Sequence, residues 1–149
     1  MAEYLMGIDA GTGSVRVALF DFRGQNRAYA VAEYGTTYPK NGWAEQSDYE
    51  WFEALKKAIP ECIKKAGIAA DNIAAITCDA TTNTLVYLDE NDTSVRPPIL
   101  WMDVRATEEA SFIDTIREEY DATKFYKPGF RADTMVPKCM WVKKNEPEN

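Results

Sequence analysis

The sequence predicts an α/β fold whose mixed β-sheet opens in the order β-β-β-α-β. Near the N-terminus two apolar runs flank a glycine-rich turn, an amphipathic helical pattern follows, and a compact apolar run comes after it. Short turns join neighbouring strands into antiparallel ribbons, whereas a strand reached through a helix can lie parallel to the first. With 149 residues, 46% of them apolar, the chain is long enough for one domain with a buried core.

Three strands are predicted at the start of the chain. Residues 4–9 form an apolar run that stops at the turn-forming stretch 10–14. From 14 to 21 larger apolar residues alternate with other residues, which is the period-two pattern of a strand. A turn at 23–26 leads to a third strand at 27–34, so the opening segment is expected to form an antiparallel meander.

A helix is predicted to begin at Ser47, where Glu50 three residues later completes a capping box. Its apolar stripe comprises Trp51, Leu55, Ile59, Cys62 and Ile63. Gly67 is a suitable C-terminal stop. Proline in a helix interior costs about 3 kcal/mol, so Pro60 predicts a kink or a break near Ala58.

The remaining elements are predicted from shorter patterns. Residues 73–78 are typical of a buried strand that could pair in parallel, and 84–89 resemble another strand before a turn. After the apolar run 99–102, Asp103 is suited to cap a second helix. The face of this helix comprises Ala106, Ala110, Ile113, Ile116 and Tyr120. An amphipathic stretch follows at 138–144 and needs a partner surface.

The absence of histidine excludes several kinds of active site. A Ser-His-Asp triad, a Cys-His pair, a histidine-ligated metal and a histidine proton shuttle are all impossible. Acid–base catalysis would therefore depend on carboxylates. The three cysteines, Cys62, Cys78 and Cys139, are too few and too far apart for a disulfide framework or a CxxC metal site.

The charge balance is acidic. Seventeen basic and 24 acidic residues give a net charge of -7, which disfavours binding to nucleic-acid phosphates. The first residues lack the basic and apolar regions of a signal peptide, and no apolar run is long enough to cross a membrane. We therefore expect a cytoplasmic protein with no nucleic-acid or membrane partner.

The first candidate site is the glycine-rich turn and its flanks, which comprise Asp9, Gly11, Thr12, Gly13, Ser14 and Arg16. Successive main-chain amides in such a turn can form an anion-binding nest, and the hydroxyl groups add further donors for phosphate. Asp9 at the strand end could hold Mg²⁺ directly or through water. The motif lacks the third glycine of a dinucleotide fingerprint and the lysine of a P-loop. A plain hairpin turn with an incidental aspartate is the alternative.

Two further segments suit a polyhydroxylated ligand. Thr82 and Asn83 belong to a polar run directly after the predicted buried strand, at the sheet edge where ligands collect in α/β folds. Trp101 could cover the C–H face of a sugar while Asp103 accepts hydrogen bonds from its hydroxyl groups. The alternatives are an ordinary polar loop, a core tryptophan and a helix cap.

Taken together, the segments resemble the N-terminal part of the FGGY family of carbohydrate kinases. The stretch 7–16, GIDAGTGSVR, is similar to the first phosphate motif of the family, and 42–47 is similar to its Gly-Trp-x-Glu-Gln segment. Residues 88–89 and 99–105 match a later signature that contains Leu-Trp-x-Asp-x-Arg. Residues 138–147 resemble its Lys-x-x-Trp-x-x-x-x-x-Pro stretch. The resemblance covers nearly the whole chain.

The resemblance implies a ribonuclease H-like fold of the actin, hexokinase and Hsp70 superfamily, and ATP-dependent phosphorylation of a sugar hydroxyl with Mg²⁺. Asp9 would serve the metal. The phosphates would lie against Gly11, Thr12, Gly13, Ser14 and Arg16. The sugar would lie against Thr82, Asn83, Trp101 and Asp103. Phosphoryl transfer depends on positioning and charge stabilisation, which these residue types can supply. The expected partners are ATP and the sugar, with a homodimer as a candidate assembly.

Thr82-Asn83 stands where glycerol kinases carry Arg-Glu and xylulokinases carry Met-His, and the stretch 79–84 is more similar to ribulokinase-type members. This resemblance implies a ketopentose such as ribulose or xylulose. Residues 1–149 are expected to be an incomplete N-terminal FGGY kinase domain. The end of that domain, the second domain and the catalytic-base aspartate would lie downstream, so no catalytic residue is expected within this chain and the fragment alone should be inactive. Another sugar kinase of the family, a non-catalytic nucleotide- or sugar-binding module of the superfamily, and a purely structural domain are the competing interpretations.

Overall fold

In a computed structural model of the protein, residues 3–116 and 129–149 are described. The chain divides into two units. The first comprises Met1–Gly35 and Ser47–Thr81, and the second comprises Thr36–Gln46 and Thr82–Asn149. The described part of the chain contains no helix that is both long enough and apolar enough to cross a membrane.

The first unit is a four-stranded sheet with one long helix. In chain order its elements are β1 (Tyr4–Ala10), β2 (Ser14–Asp21), β3 (Asn26–Glu33), α1 (Asp48–Ala66) and β4 (Ile73–Ala80). The strand order in the sheet is β3-β2-β1-β4, with β1–β2 and β2–β3 antiparallel and β1–β4 parallel. The predicted mixed sheet and the predicted β-β-β-α-β order are therefore confirmed.

The core of the first unit lies between one face of the sheet and α1. Because side chains alternate across a strand, every second residue of β1, β2 and β3 points toward the helix. The buried residues on the sheet are Met6, Ile8, Val15, Val17, Leu19, Ala28 and Ala30, and those on the helix are Ala54, Ala58 and Cys62. Small residues at the helix contact let its backbone approach the strands closely. The Cys62 thiol is buried among them, and this burial raises its pKa.

Helix α1 has the predicted ends but not the predicted interior. Ser47 is the N-cap residue, yet its side chain makes no capping hydrogen bond, so the capping box is wrong. The helix runs unbroken through Pro60, so a break near Ala58 is also wrong. Pro60 lies on the exposed side, where water can bond the Lys56 carbonyl that proline leaves without a donor. Gly67 ends the helix in the left-handed region with φ +66°, as predicted.

Strand β4 follows a short 3₁₀ turn at Ala70–Asn72 and pairs in parallel with β1, as predicted. Its predicted burial is wrong, since nearly all of its residues are exposed and Ile76 keeps 58% of its surface accessible. The reason lies in the packing: α1 lies against β2 and β3, whereas β4 lies at the other edge of the sheet, away from β3. An apolar run in the sequence predicted the strand correctly but could not specify what covers it.

The described residues of the second unit form mainly loops and two helices, α2 (Thr107–Ile116) and α3 (Met135–Asn145). The strand predicted at 84–89 is wrong, because that segment makes only isolated bridges, such as the one between Leu85 and Ile99. Asp103 does not cap α2, which begins four residues later. Ala106, Ala110 and Ile113 are buried as predicted, whereas Tyr120 lies outside the described residues.

Candidate functional site

The glycine-rich turn of the first unit joins β1 to β2 and is held by one bond within the turn and two bonds from Tyr34. The Gly11 N–H donates to the Ser14 carbonyl at 3.0 Å, and the Tyr34 N–H donates to the Gly13 carbonyl at 3.2 Å. The Tyr34 hydroxyl donates to the Gly11 carbonyl. Gly13 is exposed, Thr12 is half-buried and Ser14 is buried. The Gly11 amide thus serves to close the turn, so an anion nest would have to use the amides after it.

Asp9 and Arg16 are cross-strand partners beside this turn. Arg16 Nη1 donates to Asp9 Oδ2 at 2.8 Å, and both side chains are nearly half exposed, at 44% and 49%. An ion pair this exposed adds little to stability, so its main effect is to orient the Asp9 carboxylate. A Cβ atom on Gly11 would lie 2.9 Å from Arg16 Nη1, which is closer than van der Waals contact. Glycine at this position therefore leaves room for the guanidinium.

A cavity of about 320 Å³ opens on the face of the sheet opposite α1. Its polar lining includes Asp9, Arg16, Tyr29, Thr77 and Asp79. Asp9 and Asp79 are register partners on the parallel strands β1 and β4, so two carboxylates stand side by side at the same level of the sheet. The predicted strand ended at residue 78, one residue short of Asp79, which lies inside β4. The parallel pairing is what brings it to Asp9.

The donor set of this cavity fits Mg²⁺ better than a metal that needs a complete protein cage. Mg²⁺ is commonly held by one or two carboxylates and takes its other oxygen ligands from water and phosphate. Asp9 and Asp79 provide two carboxylates, and Thr77 adds a hydroxyl. No group of three or more histidine, cysteine or acidic side chains suited to a metal occurs within residues 3–116 and 129–149.

The predicted sugar residues lie in the second unit, where two of their segments are joined. The Trp101 N–H donates to Thr84 Oγ1 at 3.2 Å, which ties the loop after Thr82 and Asn83 to the loop that carries the indole. Trp101 keeps 42% of its surface exposed, and Thr82 is exposed. Asn83 has a φ of +57°, a left-handed conformation that asparagine adopts more readily than most residues. The Asn83 amide and the Trp101 indole therefore lie on neighbouring loops.

Asn83 also lines a cavity of about 320 Å³ in the second unit. The other lining residues are Phe130, Thr134, Met135 and Val136. This mixture of apolar walls with an amide and a hydroxyl is common in small-molecule sites, where a few polar groups fix the orientation of the ligand. Sequence reasoning missed the four additional residues, because they belong to no motif and lie 47 or more positions after Asn83.

Asp103 is completely buried and is surrounded by protein donors. Its Oδ2 accepts from the Ala44 N–H at 2.7 Å and from Arg105 Nη2 at 2.8 Å. Its Oδ1 accepts from the N–H and Nε of Arg105 at 2.9 and 3.0 Å. These four bonds use the acceptor positions of the carboxylate. The structure therefore gives Asp103 a structural role, and the expected bond from Asp103 to a sugar is not supported by this geometry.

The same network extends through the family-like segments of the second unit. Arg105 stacks on Trp43, with its Cζ atom 3.8 Å from the ring centroid, and lies 5.0 Å from the Trp141 ring. The two indoles meet edge to face at a centroid distance of 5.1 Å. Glu45 accepts from Arg105 Nη2 at 2.7 Å and also from Arg96. Arg96 Nη1 in turn donates to both carboxylate oxygens of Glu146 at 3.0 Å. Signature residues from distant parts of the sequence thus form the scaffold of this unit.

This sheet, with its glycine-rich hairpin between the first two strands, is the ribonuclease H-like fold of the actin, hexokinase and Hsp70 superfamily. Comparison with known proteins then identifies the family. Residues 4–149 match the N-terminal domain of the FGGY family of carbohydrate kinases, and the chain belongs to this family. The resemblance predicted from the sequence motifs is confirmed.

Relatives of this chain include proteins named xylulose kinase and glycerol kinase. Over 147 residues the chain is 34% identical to a xylulose kinase of Staphylococcus epidermidis, covering 98% of this chain and 29% of the relative. A glycerol kinase of Oleidesulfovibrio alaskensis is 31% identical over 151 residues, covering 99% and 30%. A crystal structure of a xyloylose kinase from Brucella ovis superposes with a TM-score of 0.86 at 28% identity, covering 97% and 30%. The chain spans about three tenths of the length of these relatives.

Proposed function

We propose that this chain is the N-terminal part of a carbohydrate kinase that transfers the γ-phosphoryl group of ATP to a sugar hydroxyl. The observation that carries the proposal is the Asp9 carboxylate beside a glycine-rich hairpin turn, in a chain that belongs to the FGGY family. The substrate that we propose is a ketopentose such as xylulose or ribulose. Relatives named xylulose kinase, at 30 to 34% identity, support this choice.

On the nucleotide side, the residues of the first unit have separate tasks. Thr12, Gly13 and Ser14 offer main-chain and hydroxyl donors for phosphate oxygens, and Arg16 orients Asp9 through their ion pair. Asp9 and Asp79 would hold Mg²⁺, which supplies positive charge to the phosphate groups when it is bound. The chain itself contributes position and a fixed electrostatic environment. We propose that the general base lies outside this chain, which alone would be inactive.

On the sugar side, the second unit offers an amide, an indole face and a hydroxyl. Asn83 can donate and accept hydrogen bonds with neighbouring hydroxyl groups of a sugar, and Thr82 can do the same. Trp101 can cover the C–H side of the ligand with its exposed ring. Asp103 contributes indirectly, because its bonds to Ala44 and Arg105 fix the loop that carries Trp101.

The direct test is a substrate screen with the full-length protein. ADP release is measured with ribulose, xylulose, hexuloses, glycerol and other polyols, each with and without Mg²⁺. We expect Mg²⁺-dependent turnover that is fastest with a ketopentose. Fastest turnover with glycerol would contradict the substrate proposal but not the kinase proposal. Binding of nucleotide or sugar by a folded protein without turnover would favour a non-catalytic module.

Replacing Asn83 tests the sugar side separately. We expect Asn83→Ala to raise the KM for the sugar by about 5- to 150-fold, the range that corresponds to a total loss of about 1–3 kcal/mol of hydrogen-bond free energy. The KM for ATP should stay unchanged. Alanine is disfavoured at the φ of +57° found here, so Asn83→Gly is the matched control, because it removes the amide without backbone strain. An unaltered sugar KM in both variants would remove Asn83 from the site.

A further inference from the structure

Lys138 of α3 is a lysine with no accessible surface, which is rare because burying an ammonium group costs free energy. Its Nζ donates to the Leu100 carbonyl at 2.7 Å and to the Asn83 carbonyl at 3.0 Å. Neither acceptor is a carboxylate. The ammonium therefore joins two main-chain segments instead of completing an ion pair.

Both segments carry residues of the proposed sugar site. One carbonyl belongs to Asn83, and the other belongs to Leu100, the residue before Trp101. Two further sets of bonds connect the same segments: Trp101 donates to Thr84 Oγ1, and the main chains of Leu85 and Ile99 exchange two bonds of 2.9 and 3.0 Å. The Lys138 ammonium lies where these connections converge, next to the strained backbone of Asn83.

The electrostatic surroundings of Lys138 indicate which property of the lysine side chain matters at this position. Burial lowers the pKa of Lys138 to about 8, although the carboxylates of Asp103 and Asp133 favour the charged form; the Arg105 guanidinium disfavours it. A neutral amine still has two N–H donors, so both bonds to carbonyls can persist after deprotonation. An apolar side chain of similar volume would avoid the cost of burial altogether. What lysine adds at this position is its donors to the two carbonyls.

We propose that Lys138 is a positioning residue for the sugar site, which fixes the main chain of Asn83 and Leu100 so that the amide and the Trp101 indole are held in one arrangement. The structural part of this proposal stands on the contacts of Lys138 alone, and its consequence for sugar binding rests on the proposed kinase function. A residue that holds a ligand site in its binding arrangement lowers the cost of ordering that site when the ligand arrives.

The experiment compares Lys138→Met with Lys143→Met in the full-length protein. Methionine keeps much of the lysine volume but has no donor, and Lys143 is an exposed lysine on the same helix. We expect Lys138→Met to raise the KM for the sugar about tenfold or more, to change the KM for ATP less than twofold, and to leave kcat at saturating sugar within a few-fold of the wild type. Lys143→Met should behave as wild type.

Amide hydrogen exchange provides a second readout that does not require turnover. The Leu85 and Trp101 amides should exchange about tenfold faster in Lys138→Met, because the carbonyls beside them are no longer fixed. The Ala110 amide of α2, bonded to the Ala106 carbonyl, should keep its exchange rate. If the wild-type protein phosphorylates no sugar, the kinase proposal fails and these exchange rates still decide the role of Lys138.

Two results would overturn the proposal. In the first, Lys138→Met keeps the sugar KM and the exchange rates of the wild type. In the second, the KM values for sugar and ATP rise equally and amide exchange becomes faster throughout the second unit. If Lys138→Met does not fold, Lys138→Leu takes its place with the same thresholds, because leucine also has no donor for the two carbonyls. Failure of both variants to fold would also overturn it, since Lys138 would then support the whole unit rather than the sugar segments.

Discussion

Asp9→Asn is expected to reduce kcat/KM of the full-length protein by at least about 100-fold, and by about 1,000-fold if the carboxylate contacts the metal directly. Asparagine has nearly the same shape but no charge, so the site loses attraction for Mg²⁺. The half-exposed Asp9 side chain makes little contribution to folding, so the melting temperature should change by no more than a few degrees. The measurement is ADP release as a function of Mg²⁺ concentration.

Two variants separate the effect of this carboxylate from the effect of net charge. Asp71→Asn removes an exposed carboxylate from the same unit and should leave activity unchanged. Asp79→Asn, which alters the register partner of Asp9, should weaken the response to Mg²⁺ by a smaller factor, because a neighbouring carboxylate can still reach the ion through water. Unchanged turnover in Asp9→Asn at limiting Mg²⁺ would remove Asp9 from the metal site.

Asp103→Asn is expected to destabilise the second unit by about 1.5–3 kcal/mol, the range for losing hydrogen bonds to a buried charged group. The completely buried Arg105 guanidinium loses one of its two carboxylate partners and keeps Glu45 at 2.7 Å, so the effect stays below that of leaving a buried charge without a partner. It also turns one acceptor oxygen into an N–H₂ group that faces existing donors. The effect is measured as the shift of the urea midpoint, followed by far-ultraviolet circular dichroism, with calorimetry to assign the transition.

The matched control is Glu90→Gln, which neutralises an exposed carboxylate in the same unit and should change the free energy of unfolding by less than about 0.5 kcal/mol. Equal midpoints for the two variants would mean that the buried network adds no net stability. Lowered stability with an unchanged sugar KM at low temperature would show that Asp103 does not bind the substrate directly.

The parts of the fold that could be predicted are those that depend on local patterns. The alternation in residues 14–21 gave β2 within its observed bounds, Ser14–Asp21, because side-chain alternation is an intrinsic property of a strand. The burial of β4 could not be predicted in the same way, since exposure depends on which element packs on the strand. The strand expected at 84–89 has the right residue types, but its partners offer only isolated bridges.

The candidate site could be predicted where the residues of a sequence motif themselves line the site. Asn83 and Trp101, which the sequence assigned to one sugar site, lie on loops that the bond between Trp101 and Thr84 joins. The partners of Asp103 were not predictable, because Ala44 lies 59 positions away along the chain and a short motif does not specify contacts at that separation. Lys138 was noted only as part of a family signature, and its role depends on two distant carbonyls.

The distribution of indoles between the two units has a practical consequence. Trp51 belongs to the first unit, whereas Trp43, Trp101 and Trp141 belong to the second. Replacing Trp51 with phenylalanine would make the emission spectrum of this chain report on the second unit only. Trp43 and Trp141, which contact the Arg105 cation, would then emit from a fixed environment. A solvent-accessible fluorophore at Trp101 could therefore reveal ligand entry optically, in equilibrium titrations without ATP.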